Sequence, residues 1–196
     1  ATDSDEIAKC IESLGGDVCM TAENHQTGTD RMYEALRKID PGKMIHYIIN
    51  LQGDLPTINS FALKKVINLL SSEQDEIGTL VTQFESAEDI KKEQFVKAIC
   101  NLSGTETESY AENFVRKQGD YDAKNLYHHI GIYAFKRDAL EKFVTLSQTE
   151  REKNEKLEQL RAIDNKMKIK IGLIDFLPLG VDTPDDLEEI RKILSK

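Results

Sequence analysis

The sequence has no run approaching the roughly 18 apolar residues that a membrane-spanning helix needs. Its opening, Ala1 to Glu6, is polar and acidic and carries no signal-peptide pattern. It is short of positive charge. Net charge is −9, which argues against a nucleic-acid binder, since these usually show a basic face. A small polyanionic ligand stays possible, because a few Arg side chains and a divalent cation can hold one against an acidic background. Cysteine is scarce: Cys10, Cys19 and Cys100 are odd in number and form no CxxC pair, so a disulfide framework or a zinc site is not expected. There is no internal repeat, no low-complexity tract and no Gly-rich phosphate loop.

What is present is an alternation of apolar strands and amphipathic helices over 196 residues. Ile7, Cys10, Ile11 and Leu14 recur at helical spacing after a Ser4 or Asp3 cap, and Gly15-Gly16 ends that helix. Asp17 to Met20 is a short strand candidate, and Asp30 to Ile39 reads as a helix. Met44 to Leu51 is Ile-rich and suits a strand buried on both faces of a parallel sheet. Helix Ser60–Leu70 and strands Gly78–Phe84, Phe95–Leu102 and His129–Phe135 follow. The spacing then predicts one charged helix over Glu150–Lys166, a strand over Lys168–Ile174 and a closing helix over Thr183–Leu194. This is an α/β pattern. One domain over 1–196 is expected, with a mostly parallel central sheet. The stretch 85–135, poorly patterned at 103–124, is expected to supply a lid or dimerisation subdomain.

Five segments carry side chains suited to chemistry. In Asn50-Leu51-Gln52-Gly53-Asp54, beyond an apolar strand, Gln52 and Asp54 point to one side if the segment is extended. Asp54 can hold Mg²⁺ and Gln52 can read a hydroxyl, or Gly53-Asp54 simply turns the chain. Gly180-Val181-Asp182-Thr183-Pro184-Asp185-Asp186 explains Thr183 as an N-cap, Pro184 as the first helical residue and Asp186 as the partner in a capping box. Asp182 is left over as a second metal carboxylate or an idle neighbour of the cap. His129, Gly131 and Tyr133 share one face of a strand. The gap at Gly131 makes a slot for a sugar, unless His129 and Tyr133 are ordinary core residues. Glu158 and Gln159 are helix neighbours able to reach one ligand, or else Glu158 pairs with Arg161 on a solvated face. Thr27-Gly28-Thr29 at a helix start offers N–H groups and hydroxyls, with Arg31 nearby to fork onto a carbonyl or phosphate, or the loop is a plain cap.

Taken in order, HQTGTDR, NLQGDLP, HHIGIY, EKLEQLR and GVDTPDDLE, with an opening ATDSDEI, resemble the CMP-Kdo synthetases, the 3-deoxy-manno-octulosonate cytidylyltransferases. The resemblance covers essentially the whole chain. It implies a nucleotide-diphospho-sugar transferase fold and the reaction of CTP with 3-deoxy-manno-octulosonate (Kdo) to give CMP-Kdo and diphosphate, with Mg²⁺ as cofactor. It implies a homodimer in the cytoplasm of a Gram-negative bacterium, feeding lipopolysaccharide assembly. By resemblance, Asp54 and Asp182 are the metal carboxylates. Gln52, His129, Tyr133, Glu158 and Gln159 form the Kdo pocket, and Thr27, Gly28 and Arg31 form part of the cytidine site. Arg116 stands where the family places an Arg of a YFSR-like stretch on the Kdo carboxylate. The sequence departs from the family at Phe114-Val115-Arg116-Lys117 and has no ARxxSxRxPGKP-like loop to grip the triphosphate. About 45 to 50 residues of the family pattern, judged by the strand, loop, helix and strand expected there, are therefore expected to be missing. Transfer to another sugar acid such as sialic acid, or a sugar-binding module without catalysis, are the competing readings.

Overall fold

A computed structural model describes residues 1–181 and 183–195. The helices are α1 (Asp5–Ser13), α2 (Gly28–Ile39), α3 (Ser60–Asn68), α4 (Ala87–Lys91), α5 (Arg137–Thr145), α6 (Glu150–Glu155), α7 (Leu160–Asp164) and α8 (Pro184–Leu194). The strands are β1 (Tyr47–Asn50), β2 (Ile77–Thr82), β3 (Lys97–Ile99), β4 (Glu108–Tyr110), β5 (Asn113–Val115), β6 (Leu126–Lys136) and β7 (Ile169–Leu173). Most helices begin where a short polar side chain can take an orphan N–H. Ser4 accepts from Ile7 N, Thr27 from Asp30 N and Asn59 from Ala62 N, while Thr149–Glu152 and Thr183–Asp186 form full capping boxes.

The strands form a seven-stranded sheet ordered β4-β7-β2-β6-β3-β5, with β1 added on β6. Among the named strands β2 and β7 pair in parallel and the other pairs are antiparallel. The sheet is therefore mixed, not mostly parallel as expected. The reason is β6, which runs against its neighbours. One of its edges carries β2, and the other carries β3 on residues 126–128 and then β1 on residues 133–136. β1 and β2 thus lie parallel to each other but are separated by an antiparallel strand. The β1–α3–β2 crossover spans β6, so strand–helix alternation in the sequence does not reveal the intervening strand.

Two cores cover the two faces. α3 packs Ala62, Val66 and Leu69 onto Leu80, Ile130, Ile132 and Ala134. Each Val, Leu or Ile side chain so withdrawn from water contributes about 1.5–3 kcal/mol. The approach is close, because a Cβ at Gly78 would meet Val66 O at 2.9 Å. On the other face Leu36, Leu140, Phe143 and Leu160 pack on Ile77, Val81 and Phe135.

Other expectations change. Residues 17–20 form no strand, only an isolated bridge between Thr2 and Met20. The poorly patterned 103–124 holds β4 and β5, and β3, β5 and β6 belong to the main sheet. The apolar stripe of α1 faces solvent: Leu14 is 79% exposed and only Ala8 is buried. The single helix over 150–166 is broken into α6 and α7. Lys156 takes the left-handed conformation (φ 53°, ψ 47°), and Arg161 folds back to chelate Glu152 rather than Glu158. Among the described residues no helix is long and apolar enough to cross a membrane.

Candidate active site

The strand arrangement leaves a gap on one edge of β6. β3 departs after residue 128 and β1 joins at 133. Here β6 also bulges: Thr79 pairs with Tyr133 but Leu80 with Ile130, so two residues of β6 have no counterpart on β2. A bulge re-aims side chains where a regular ladder would not. At this place a cleft of about 920 Å³ opens.

His129, Gly131 and Tyr133 line it from β6. His129 and Tyr133 rings are 5.4 Å apart between centroids, and His129 meets Phe114 edge-on at 5.1 Å. A Cβ at Gly131 would meet nothing within 4 Å, so this residue keeps the slot between the two rings open. Burial pushes the imidazole of His129 down to about 3, and it stays neutral at physiological pH. The Thr79 hydroxyl lies 2.9 Å from His129 Nε2 and 2.8 Å from the Ile132 carbonyl. A hydroxyl has one proton to give. With that proton on the carbonyl, Nε2–H donates to Thr79 and Nδ1 is the ring's remaining acceptor. Tyr133 differs: its hydroxyl is buried and has no hydrogen-bond partner among the described residues.

Asn50, Gln52 and Asp54 line the cleft from the end of β1. The segment is a turn, Leu55 N donating to Gln52 O at 3.4 Å, not the extended piece the spacing suggested. Val181 N donates to Asp54 O at 2.9 Å and joins this turn to the approach to α8. Asp186 and Thr183 line the same mouth; Asp182 lies outside the described residues. Among the described residues no group of three or more His, Cys, Asp or Glu is placed to hold a metal ion. Asp54 offers this cleft a carboxylate, the hard oxygen donor that a cation such as Mg²⁺ takes.

Glu158 and Gln159 reach the cleft from the break between α6 and α7. Burial raises the Glu158 carboxyl above its usual value, opposed by the Thr29 hydroxyl, Arg161 and the Thr27 hydroxyl. The break is held by Arg161, which is 2% exposed, chelates Glu152 and lies 4.7 Å over the Phe143 ring. Arg116, just beyond β5, also lines the cleft. Its Nε donates to Glu155 O at 2.8 Å, with Nη2 on Lys156 O at 3.3 Å and Nη1 on Glu93 O at 3.4 Å. These partners are all backbone carbonyls.

The predicted nucleotide residues stand behind the cleft lining: the Thr27 hydroxyl acts on Glu158, and a Cβ at Gly28 would stand 4.0 Å from Asn50 Nδ2. Thr27 caps α2 and donates to Asp30 at 2.8 Å. Arg31 spends its guanidinium on Thr21 Oγ1, Ala22 O and Asp3. Neither lines the cleft, nor does Gly28, although Thr29 does, with Asn50 Nδ2 donating to its hydroxyl at 3.2 Å. Sequence reading missed Thr79, Lys97 and Asn50. Signals existed: Thr79 is a hydroxyl in the wholly buried strand IGTLVT, and Lys97 is a lysine in the apolar run Val96–Ile99.

The chain matches the family model described as Cytidylyltransferase over residues 1–169. It is 42% identical to the 3-deoxy-manno-octulosonate cytidylyltransferase of Rhizobium etli, covering 100% of this chain and 77% of that one. It is 44% identical to that of Bartonella bacilliformis, covering 100% of this chain and 80% of that one. A solved CMP:2-keto-3-deoxy-manno-octonic acid synthetase complexed with CTP superposes with a TM-score of 0.84 at 29% identity, covering 98% of this chain and 78% of that one. The 4-diphosphocytidyl-2C-methyl-D-erythritol synthase of Anaerococcus prevotii shares the fold alone, at 15% identity and a TM-score of 0.60. With relatives at this identity over its whole length, the chain belongs to the cytidylyltransferase family, among the 3-deoxy-manno-octulosonate cytidylyltransferases.

Proposed function

We propose that the chain transfers CMP from CTP to the anomeric hydroxyl of Kdo and releases diphosphate. The observation that carries this is convergence. Gln52, Arg116, His129, Tyr133, Glu158 and Gln159 come from four separate stretches of the sequence and all line one cleft. They offer what a sugar acid needs: Arg116 for the carboxylate, a slot at Gly131 for the ring, and amide, phenol and carboxyl groups for hydroxyls.

The cleft is lined by charges of both signs: Arg116 and Lys156 among the cations, Asp54, Glu158 and Asp186 among the carboxyls. A sugar carboxylate is drawn to the cations, and phosphates arriving with a divalent cation are drawn to the carboxyls. Asp54, with Asp182 on the sequence resemblance, would hold Mg²⁺, which when bound neutralises phosphate charge and orients the α-phosphate. The reaction forms a bond from the sugar oxygen to the α-phosphorus, breaks the anhydride bond to the β-phosphate and releases the hydroxyl proton to water with the departing diphosphate. The protein's share is positioning and charge neutralisation, worth several kcal/mol when reacting atoms are held in line. Neutral His129, tied to Thr79, fixes a hydroxyl as a hydrogen-bond partner and is too weak a base to take its proton. Thr27, Gly28 and Arg31 are proposed to shape the start of α2 against the nucleotide, and two copies are proposed to associate.

The test is diphosphate release from CTP with Mg²⁺, comparing Kdo with sialic acid. Release that needs Kdo and Mg²⁺ supports the reading. Release with sialic acid but not Kdo, or none with either, overturns it.

A further inference from the structure

Lys97 is fully buried (0% exposed) in β3, opposite Val115 of β5 and His128 of β6. Its ammonium donates to three backbone carbonyls: Lys92 at 2.6 Å, Phe95 at 2.8 Å and Arg116 at 2.6 Å. An ammonium has three donors, and all are used. No carboxylate pairs with it among the described residues; Glu93, within electrostatic reach, bonds Lys117 instead. Burying a cation without a counterion is expensive. A Leu or Met would fill this space at lower cost if shape alone mattered.

What the ammonium holds is the wall of the cleft. Phe95, Val96, Arg116 and His128 all line it. The Arg116 carbonyl is pinned by Lys97, and the Arg116 guanidinium in turn pins the carbonyls of Glu155 and Lys156. The next residues along the chain are Leu157, Glu158 and Gln159. We infer that Lys97 is a positioning residue for the sugar-acid half of the site: it fixes Arg116, and through Arg116 the turn that presents Glu158 and Gln159. The charge also matters. It adds to Arg116 and Lys156 a further cation that no carboxylate pairs among the described residues, which favours an anionic sugar over a neutral one. Burial and the neighbouring Arg116 lower the ammonium's proton affinity while Glu93 raises it, and three carbonyl acceptors keep the proton useful.

This inference rests on the proposed reaction, and its test separates the two. Diphosphate release is measured for the wild type, Lys97→Met, Arg116→Ala and the double variant. Hydrogen–deuterium exchange is followed at residues 92–97 and 114–118, with β2 as reference. Lys97→Met is expected to raise KM for Kdo about 10-fold or more, as loss of charge-assisted bonds would. KM for CTP should stay within about 2-fold, and the double variant should be no worse than Arg116→Ala alone, as for residues acting in one unit. Equal rises in both KM values, additive effects, or a lowered Tm with unchanged KM overturn it. If the wild type itself shows no Kdo-dependent release, the reaction fails on its own. The clamp is then decided by exchange: faster exchange confined to 92–97 and 114–118 supports it, and unchanged exchange sinks it. Should Lys97→Met not fold, Lys97→Gln keeps two donors without the charge and carries the same comparison.

Discussion

Tyr133 and His129 face one another along β6 with ring centroids 5.4 Å apart, yet only the imidazole has a partner. His129 Nε2 meets the Thr79 hydroxyl at 2.9 Å, whereas the Tyr133 hydroxyl is buried with no partner among the described residues. Leaving such a group unsatisfied costs about 1–3 kcal/mol. The cost is recovered if a substrate hydroxyl or carboxylate completes the bond. Tyr133→Phe is therefore expected to leave the ligand-free protein as stable or about 1 kcal/mol more so, while KM for Kdo rises. Thermal melting and steady-state kinetics on the same preparation check this; a destabilised variant with unchanged KM contradicts it.

Gly131 sits between those two rings with open space where a Cβ would stand. Because nothing in the protein occupies that space, Gly131→Val is expected to fold with a melting temperature near wild type. Its methyl groups would fill the slot and suppress Kdo-dependent turnover by about 10-fold or more, as a clash at a packed ligand does. CTP binding, measured by calorimetry, should persist. Turnover at the wild-type rate would show that the ring lies elsewhere.

Much of this was legible in the sequence. Polar residues at the ends of apolar strands marked Gln52 and Asp54, and strand alternation placed His129, Gly131 and Tyr133 on one face. The two capping signals at Thr27 and Thr183 were plain, because an N-cap is decided within a few residues. The direction of β6 was not legible, since antiparallel insertion between β1 and β2 depends on contacts distant in sequence. The break at Lys156 was hidden too. Helical periodicity continued through it, and what wins is tertiary: a buried Arg161–Glu152 pair under Phe143. Arg31 was legible as a fork but not as a fork already filled by Asp3 and Thr21.

Glu158 is a carboxyl whose burial outweighs its hydrogen bonds and raises its pKa, with Arg161 and Asp30 as its charged neighbours. A carboxyl raised in the folded state contributes stability below its unfolded pKa, near 4.3, and loses it as pH rises through the folded value. At neutral pH the charged form is thus a cost. Glu158→Gln, neutral at all pH and of the same shape, is expected to raise Tm at pH 8 and to make no such gain at pH 4. Kdo affinity should fall at the same time, the usual exchange between stability and a working site. Denaturation at the two pH values, alongside KM, decides it.

His129 gives a pH dependence of the opposite sign from the same cause, burial. Burial moves its folded pKa down to about 3, against about 6.5 when unfolded. The unfolded chain therefore binds the extra proton first as pH falls, and stability contributed by the neutral ring is full above about pH 6.5 and drains away toward pH 3. The carboxylates held below their usual range, Asp75 by Tyr110 and Lys170 and Glu76 by Lys142, also lose stability in acid, but mainly below about pH 4.5. Between pH 6.5 and 4.5 His128, also lowered by burial, and Glu158, raised by it, titrate as well, so the difference between wild type and a His129 variant is what reports this ring. His129→Gln retains a donor for Thr79 and cannot charge, so its stability should be flatter than wild type across that window. Urea denaturation at half-unit steps of pH gives both slopes. Equal slopes would mean that the ring accepts a proton without cost, and that His129 is more open to water than its packing against Phe114 and Tyr133 allows.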